Sequence, residues 1–320
     1  MLRRVALWLI LLGVAVCAPT QLYAAPSCTM TVANIDFGSV DVLPGTAVDI
    51  TGSVAFNCTG FGNNELDRFC ISIGSGANFS GSQRQLNGPS GAKLNYDLYT
   101  NSARTQLWGS WQTGFDTAGL QIDITSDGTG KIVTSVPIYA RLFSAQQTAA
   151  TGSYSTTFPS STAGAYARFA KKTATSCDTG GTHAQSGFSV LATVVSTCNV
   201  SATNVSFGTV GLVNSNVDAT STVTAQCSIS LPYTVSLNGG NAGASDPTQR
   251  KMAKASENIT YGLYKDSARA QPWGNTIGTN TVAGTGTGLS QANTVYGRVP
   301  SQTTGSPGSY SDTIVVTVTY

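Results

Sequence analysis

Apolar residues alternate with small polar ones along most of this chain, with a period of two and no sustained helical period. Leu94, Tyr96 and Leu98 share one face of a predicted strand, and Ile259, Tyr261 and Leu263 share the face of another. Near the C-terminus Ile314, Val316, Val318 and Tyr320 fall on one side, with Thr313, Thr317 and Thr319 on the other. These segments are short and separated by turns rich in Gly, Asn and Ser. That spacing predicts an all-β chain built of antiparallel β-sandwiches.

The alternation occurs twice. Ile35-Asp36-Phe37-Gly38-Ser39-Val40, enclosed by Cys28 and Cys58, returns as Val205-Ser206-Phe207-Gly208-Thr209-Val210, enclosed by Cys198 and Cys227. Tyr96 to Gly109, containing Ser102-Ala103-Arg104 and Trp108-Gly109, returns as Tyr261 to Gly274, containing Ser267-Ala268-Arg269 and Trp273-Gly274. Tyr139-Ala140-Arg141 and Gly152-Ser153-Tyr154 return as Tyr296-Gly297-Arg298 and Gly308-Ser309-Tyr310. A repeat of this length means two homologous domains rather than a solenoid. They are expected at 26–196 and 197–320, each long enough for its own core. The first copy is elaborated by two insertions, Thr59 to Arg68 and roughly Phe158 to Gln185.

Residues 1–25 read as a signal peptide, because Arg3 and Arg4 precede an apolar run from Val5 to Val16 and Ala24 and Ala25 offer a cleavage site. In an exported chain the six cysteines after Cys17 are expected as disulfides. The repeat pairs Cys28 with Cys58 and Cys198 with Cys227, leaving Cys70 and Cys177 to staple the two insertions. Charged residues make up 10% of the chain and the net charge is +2, so no electrostatic footprint for nucleic acid exists. No CxxC pair, nucleophile with a base or phosphate loop stands out, so no metal, cofactor or enzymatic activity is expected. The single histidine, His183, lies in a Gly and Thr stretch.

Trp108 and Trp273 match between the copies and are expected in the cores. Phe61, Trp111, Phe115, Phe158, Tyr166 and Phe169 have no counterpart in the second copy. Unmatched aromatic residues on loops are expected to be exposed and to bind a surface.

The strand that ends the second copy either closes its sheet or leaves an edge uncovered; alternation alone leaves both open. The blocks Phe207-Gly208-Thr209-Val210, Tyr261 to Gly274 and Gly308 to Tyr320 resemble the spore coat protein U domain, a family that includes the pilins of archaic chaperone-usher pili. The similarity covers essentially all of 198–320 and the first copy more loosely. It implies two tandem immunoglobulin-like sandwiches, of which the C-terminal one is incomplete and awaits a donor strand. A periplasmic chaperone, an outer-membrane usher and an adjacent pilin subunit are the implied partners. Ile314, Val316, Val318 and Tyr320 would then wall the acceptor groove.

Phe188 to Val195 stands just before Cys198, where such a pilin keeps its donor strand. It is expected to complete the first domain in cis, with Phe188, Val190, Ala192 and Val194 pointing inward; alternatively it is the equivalent of the last strand of the second copy. Few residues separate the cleavage site from Cys28, so the first domain is expected to have nothing to donate. The resemblance therefore implies a subunit at the pilus tip on the cell surface, mediating adhesion to abiotic or host surfaces and biofilm formation. A structural coat or matrix protein and a pilus lectin, with Trp111 stacked on a sugar, are the alternatives.

Overall fold

The structure is a computed structural model that describes residues 25–113, 115, 118–174, 177 and 181–320. The expected signal peptide therefore lies, except for Ala25, outside the described residues. The first domain contains β1 (Ser27–Val32), β2 (Ile35–Val40), β3 (Val48–Thr59), β4 (Leu66–Ile73), β5 (Phe79–Ser80), β6 (Gln83–Asn87) and β7 (Lys93–Tyr99). It continues with β8 (Leu120–Thr125), β9 (Ile132–Leu142), β10 (Gly152–Phe158), β11 (Ala165–Lys171), β12 (Thr182–Ser186) and β13 (Phe188–Val194). The second contains β14 (Cys198–Ala202), β15 (Val217–Cys227), β16 (Pro232–Leu237), β17 (Arg250–Lys254), β18 (Glu257–Tyr264), β19 (Val282–Thr285), β20 (Gln291–Val299) and β21 (Val316–Thr319).

Each domain is an immunoglobulin-like sandwich of two sheets. In the first, one sheet has the order β1-β3-β9-β7-β6-β10-β13-β2, with β5 added beside β6, and faces a second of order β12-β11-β4-β8. In the second domain the sheets are β14-β15-β20-β18-β17 and β19-β16-β21. Alternate positions point into separate cores: Val54, Phe56, Leu94, Tyr96 and Leu98 in one, Val223, Val235, Tyr261 and Leu263 in the other. Trp108 and Trp273 are fully buried, and their indole Nε1 groups donate to Ile71 and Val235 carbonyls at 2.9 and 3.0 Å.

The repeated motifs are framework. Arg104 and Arg141 hold Asp49 at 3.3 and 2.7 Å, while Arg269 and Arg298 hold Asp218 at 3.2 and 2.7 Å. Cys28–Cys58 and Cys198–Cys227 join residues directly opposite on neighbouring strands. Cys70–Cys177 closes a separation of 107 residues, worth about 4–5 kcal/mol in the chain-entropy treatment. It ties the outward side of β4 to the segment after β11. The linker 195–197 is short and pinned, with Thr197 Oγ1 donating to Asp41 at 2.8 Å and its amide donating to Ser228 Oγ at 3.0 Å.

Two expectations about the insertions are corrected. The segment Phe158 to Gln185 is not wholly inserted, because β11 pairs with β4 as β21 pairs with β16. Ala165, Ala167 and Phe169 thus occupy the positions of Val316, Val318 and Tyr320, and the added residues are 160–164 and those from 172 through β13. The unmatched aromatic residues also do not form an exposed surface. Phe61, Phe115, Phe158, Tyr166 and Phe169 are buried, and Trp111 is half-buried. Phe61, Phe69 and Phe169 lie within 6.1 Å of one another, centroid to centroid, and Phe158 stacks on Phe188 at 4.3 Å. Burying each ring gains about 2–3 kcal/mol, which holds these segments down against the sandwich.

Candidate functional site

The site follows from one strand present in the first domain and missing from the second. Strand β13 lies between β10, to which it runs antiparallel, and β2, to which it runs parallel. Phe188, Val190, Ala192 and Val194 all point into the core and are at most 5% exposed. Their alternation with the less buried Ser189, Leu191 and Thr193 turns one face of the segment into the slot. β13 is not the counterpart of the second domain's last strand; β10 and β11 together fill that role.

The matching slot in the second domain is open. Gly152 to Phe158 corresponds residue for residue to Gly308 to Ile314, whose tie to the neighbouring strand is the bridge between Ser311 and Ala253. On the other side, residues 203–216, the counterpart of β2 and its flanks, form no strand, because no β13 stands beside them. Between the two segments run adjoining cavities of about 530 and 1010 Å³, which share Val205, Phe207, Met252 and Tyr310 in their walls. Side chains sealed in the first domain are uncovered here. Val40 is 2% exposed and Val210 41%; Val42 is 5% exposed and Leu212 76%.

Of the expected groove residues, Ile314 and Val316 line the cavity. Val318 is half-buried against the core below it, and Tyr320 is 58% exposed beyond the last paired residue, Thr319. The groove lies along 310–316 rather than along the whole tail, which corrects the place given to Tyr320. Val205, Phe207, Met252, Tyr261 and Tyr310 are wall residues that alternation in the tail could not reveal. Their signal was the repeat itself: each stands where the first domain has a buried apolar or aromatic side chain, Ile35, Phe37, Leu86, Tyr96 and Tyr154.

One charged group sits behind the wall and another on it. Arg250 is fully buried and donates to the carbonyls of Leu237, Asn238, Pro247 and Trp273 at 2.8–3.2 Å. Burial pushes its guanidinium below the usual range. Its counterpart Arg84 makes similar carbonyl contacts but also pairs with Asp97 at 3.1 Å. Gly262 occupies the Asp97 position in the second domain. A carboxylate appears instead on the groove wall, where Asp312 accepts from the Tyr261 hydroxyl at 2.7 Å and the Asn241 amide at 2.8 Å. Burial, and this bond next, push the Tyr261 phenol upward.

The second domain is therefore a copy of the first with one strand's place vacant. The Spore Coat Protein U domain model matches residues 15–159 and 184–317. The chain belongs to that family. The second match begins at 184 and so takes in β13, which by family position precedes the second domain but packs inside the first. Protein U of Myxococcus xanthus is 33% identical over 107 residues, which are 32% of this chain and 59% of its own length. The chain thus spans about 59% of that relative.

Among solved structures, a chain of the CsuC–CsuE chaperone–tip adhesion subunit pre-assembly complex, from archaic chaperone-usher Csu pili of Acinetobacter baumannii, is similar at a TM-score of 0.53. It is 18% identical, over 92% of this chain and 100% of that chain, which shows a shared fold. The CupB6 tip adhesin of Pseudomonas aeruginosa matches at a TM-score of 0.36 and 11% identity, over 93% of this chain and 94% of its own.

Proposed function

We propose that this chain is a chaperone-usher pilus subunit of the fibre tip: its second domain accepts one extended strand, and its first domain makes contact with a surface. The observation that carries this reading is the internal duplicate. A strand with alternating apolar side chains already fills the equivalent slot of the first domain, so the vacant slot of the second suits the same kind of occupant. An uncovered edge with apolar walls is an association site, first for a periplasmic chaperone and then for the adjacent pilin. By analogy with β13 the incoming strand would run antiparallel to 310–314. The usher, export through the periplasm and biofilm formation follow from such assembly.

The donor-position segment before Cys198 is spent within the chain, which supports a terminal place in the fibre. For contact, the exposed aromatic group of the first domain among the described residues is Phe79, 54% exposed, with half-buried Trp111 a second candidate. The Phe115 ring lies 6.0 Å from Phe79, and its carbonyl accepts from the amide of Ser110, the residue before Trp111. Immunogold against the first domain is expected at fibre ends, and Phe79→Ser with Trp111→Ser is expected to lower attachment to plastic several-fold with fibre number unchanged. Label along whole shafts would refute the terminal place, and undiminished attachment would move the contact elsewhere.

A further inference from the structure

The two slots differ at one position along the strand that borders them. In the first domain β10 presents Tyr154, Thr156 and Phe158 inward, directly opposite Ala192, Val190 and Phe188. The second domain presents Tyr310, Asp312 and Ile314 at the same places. Thr156 is buried, neutral and bonded to Asn78 Nδ2 at 3.2 Å, so an apolar valine can lie against it. Asp312 lines the open groove.

An ionised carboxylate offers about four acceptor sites. Asp312 fills three of them, with the Tyr261 hydroxyl and the amides of Asn241 and Thr313. A strand seated across it removes water from the remaining site, and an apolar side chain there would leave a buried acceptor without a donor. The geometry points to Asp312 as a specificity residue that selects an incoming strand carrying a cationic or amide hydrogen-bond donor opposite it. The strand is otherwise apolar on alternate residues, as β13 is.

This inference rests on the strand-acceptor reading and adds a rule to it: the two slots of one chain prefer different strands. β13 carries Val190 at that place, so it suits its own slot better than the vacant one. A second copy of this chain offering its own β13 is on the same ground a poor donor.

The test uses the purified full chain and two synthetic peptides. One has the sequence of residues 187–196, and the other is the same with Val190→Lys. The lysine peptide is expected to bind the wild-type chain roughly tenfold more tightly. Asp312→Thr, which reproduces the first domain's wall, is expected to abolish or reverse that order. Should it fold poorly, Asp312→Asn is expected to shrink the preference. Equal binding of both peptides to wild type, or a preference unchanged in the Asp312 variants, overturns the selectivity while leaving strand acceptance intact. Failure of both peptides to bind overturns strand acceptance itself.

Discussion

The first domain encloses its core on every side, and the second exposes the same core along one line. Both have the buried arginine, the buried tryptophan, the Arg–Asp–Arg cluster and the cross-strand disulfide. What differs is β13 and the two segments it orders. β2 is a strand because β13 supplies its partner; residues 205–210, with a similar pattern and the same left-handed glycine, form none. Strand formation here depends on a neighbour more than on local preference, in keeping with the context dependence of β-propensity. A domain can hold most of its fold and still leave its last ladder to another chain.

The largest effect should come from placing a charge in each slot in turn. Val190→Asp puts an unpaired carboxylate at a fully buried position and is expected to cost more than about 4 kcal/mol, enough to unfold the first domain. Ile314→Asp, at a half-buried position on the open wall, is expected to cost roughly 1 kcal/mol in the free chain and to abolish strand acceptance. Thermal unfolding followed by tryptophan fluorescence checks both. Equal losses would break the contrast between a filled slot and an empty one.

Much of this arrangement was legible in the sequence. The three disulfide pairs could be read from the repeat and one leftover pair, and the alternation of Phe188 to Val194 marked a strand with one apolar face. Other parts were hidden. Residues 160–164 separate Phe158 from Ala165 and obscured the match between β11 and the final strand. The aromatic residues without an evident counterpart were legible as such but not as buried, since a ring looks the same in sequence whether it faces water or a neighbouring ring, and Phe158, Tyr166 and Phe169 lie on strands β10 and β11. Phe79, flanked by Asn78 and Ser80, carried no sign that it would stay exposed.

A smaller effect should separate the domains by pH. Asp67, on the inward face of β4 one position beyond the Phe69–Phe169 pair, is fully buried with neither carboxyl oxygen hydrogen-bonded. Burial, with Glu65 adding to it, pushes its pKa up to about 6, against about 3.9 in an unfolded chain. A raised carboxyl pKa means that the unfolded chain gives up its proton first. This contribution to stability is therefore complete below pH ~4 and is lost as pH rises toward 6. First-domain melting is expected to fall over that window, and Asp67→Asn is expected to lessen the fall, with Asp97, whose pKa burial also raises to about 6, accounting for the remainder; an unchanged slope in the variant would remove Asp67 from the account.

Amide hydrogen exchange on the free full-length chain tests the central claim most directly. If the second domain lacks the strand that the first contains, amides of 205–210 should exchange orders of magnitude faster than those of Ile35–Val40, and a bound strand peptide should slow them selectively. Equal protection of the two segments before any peptide is added would contradict the account.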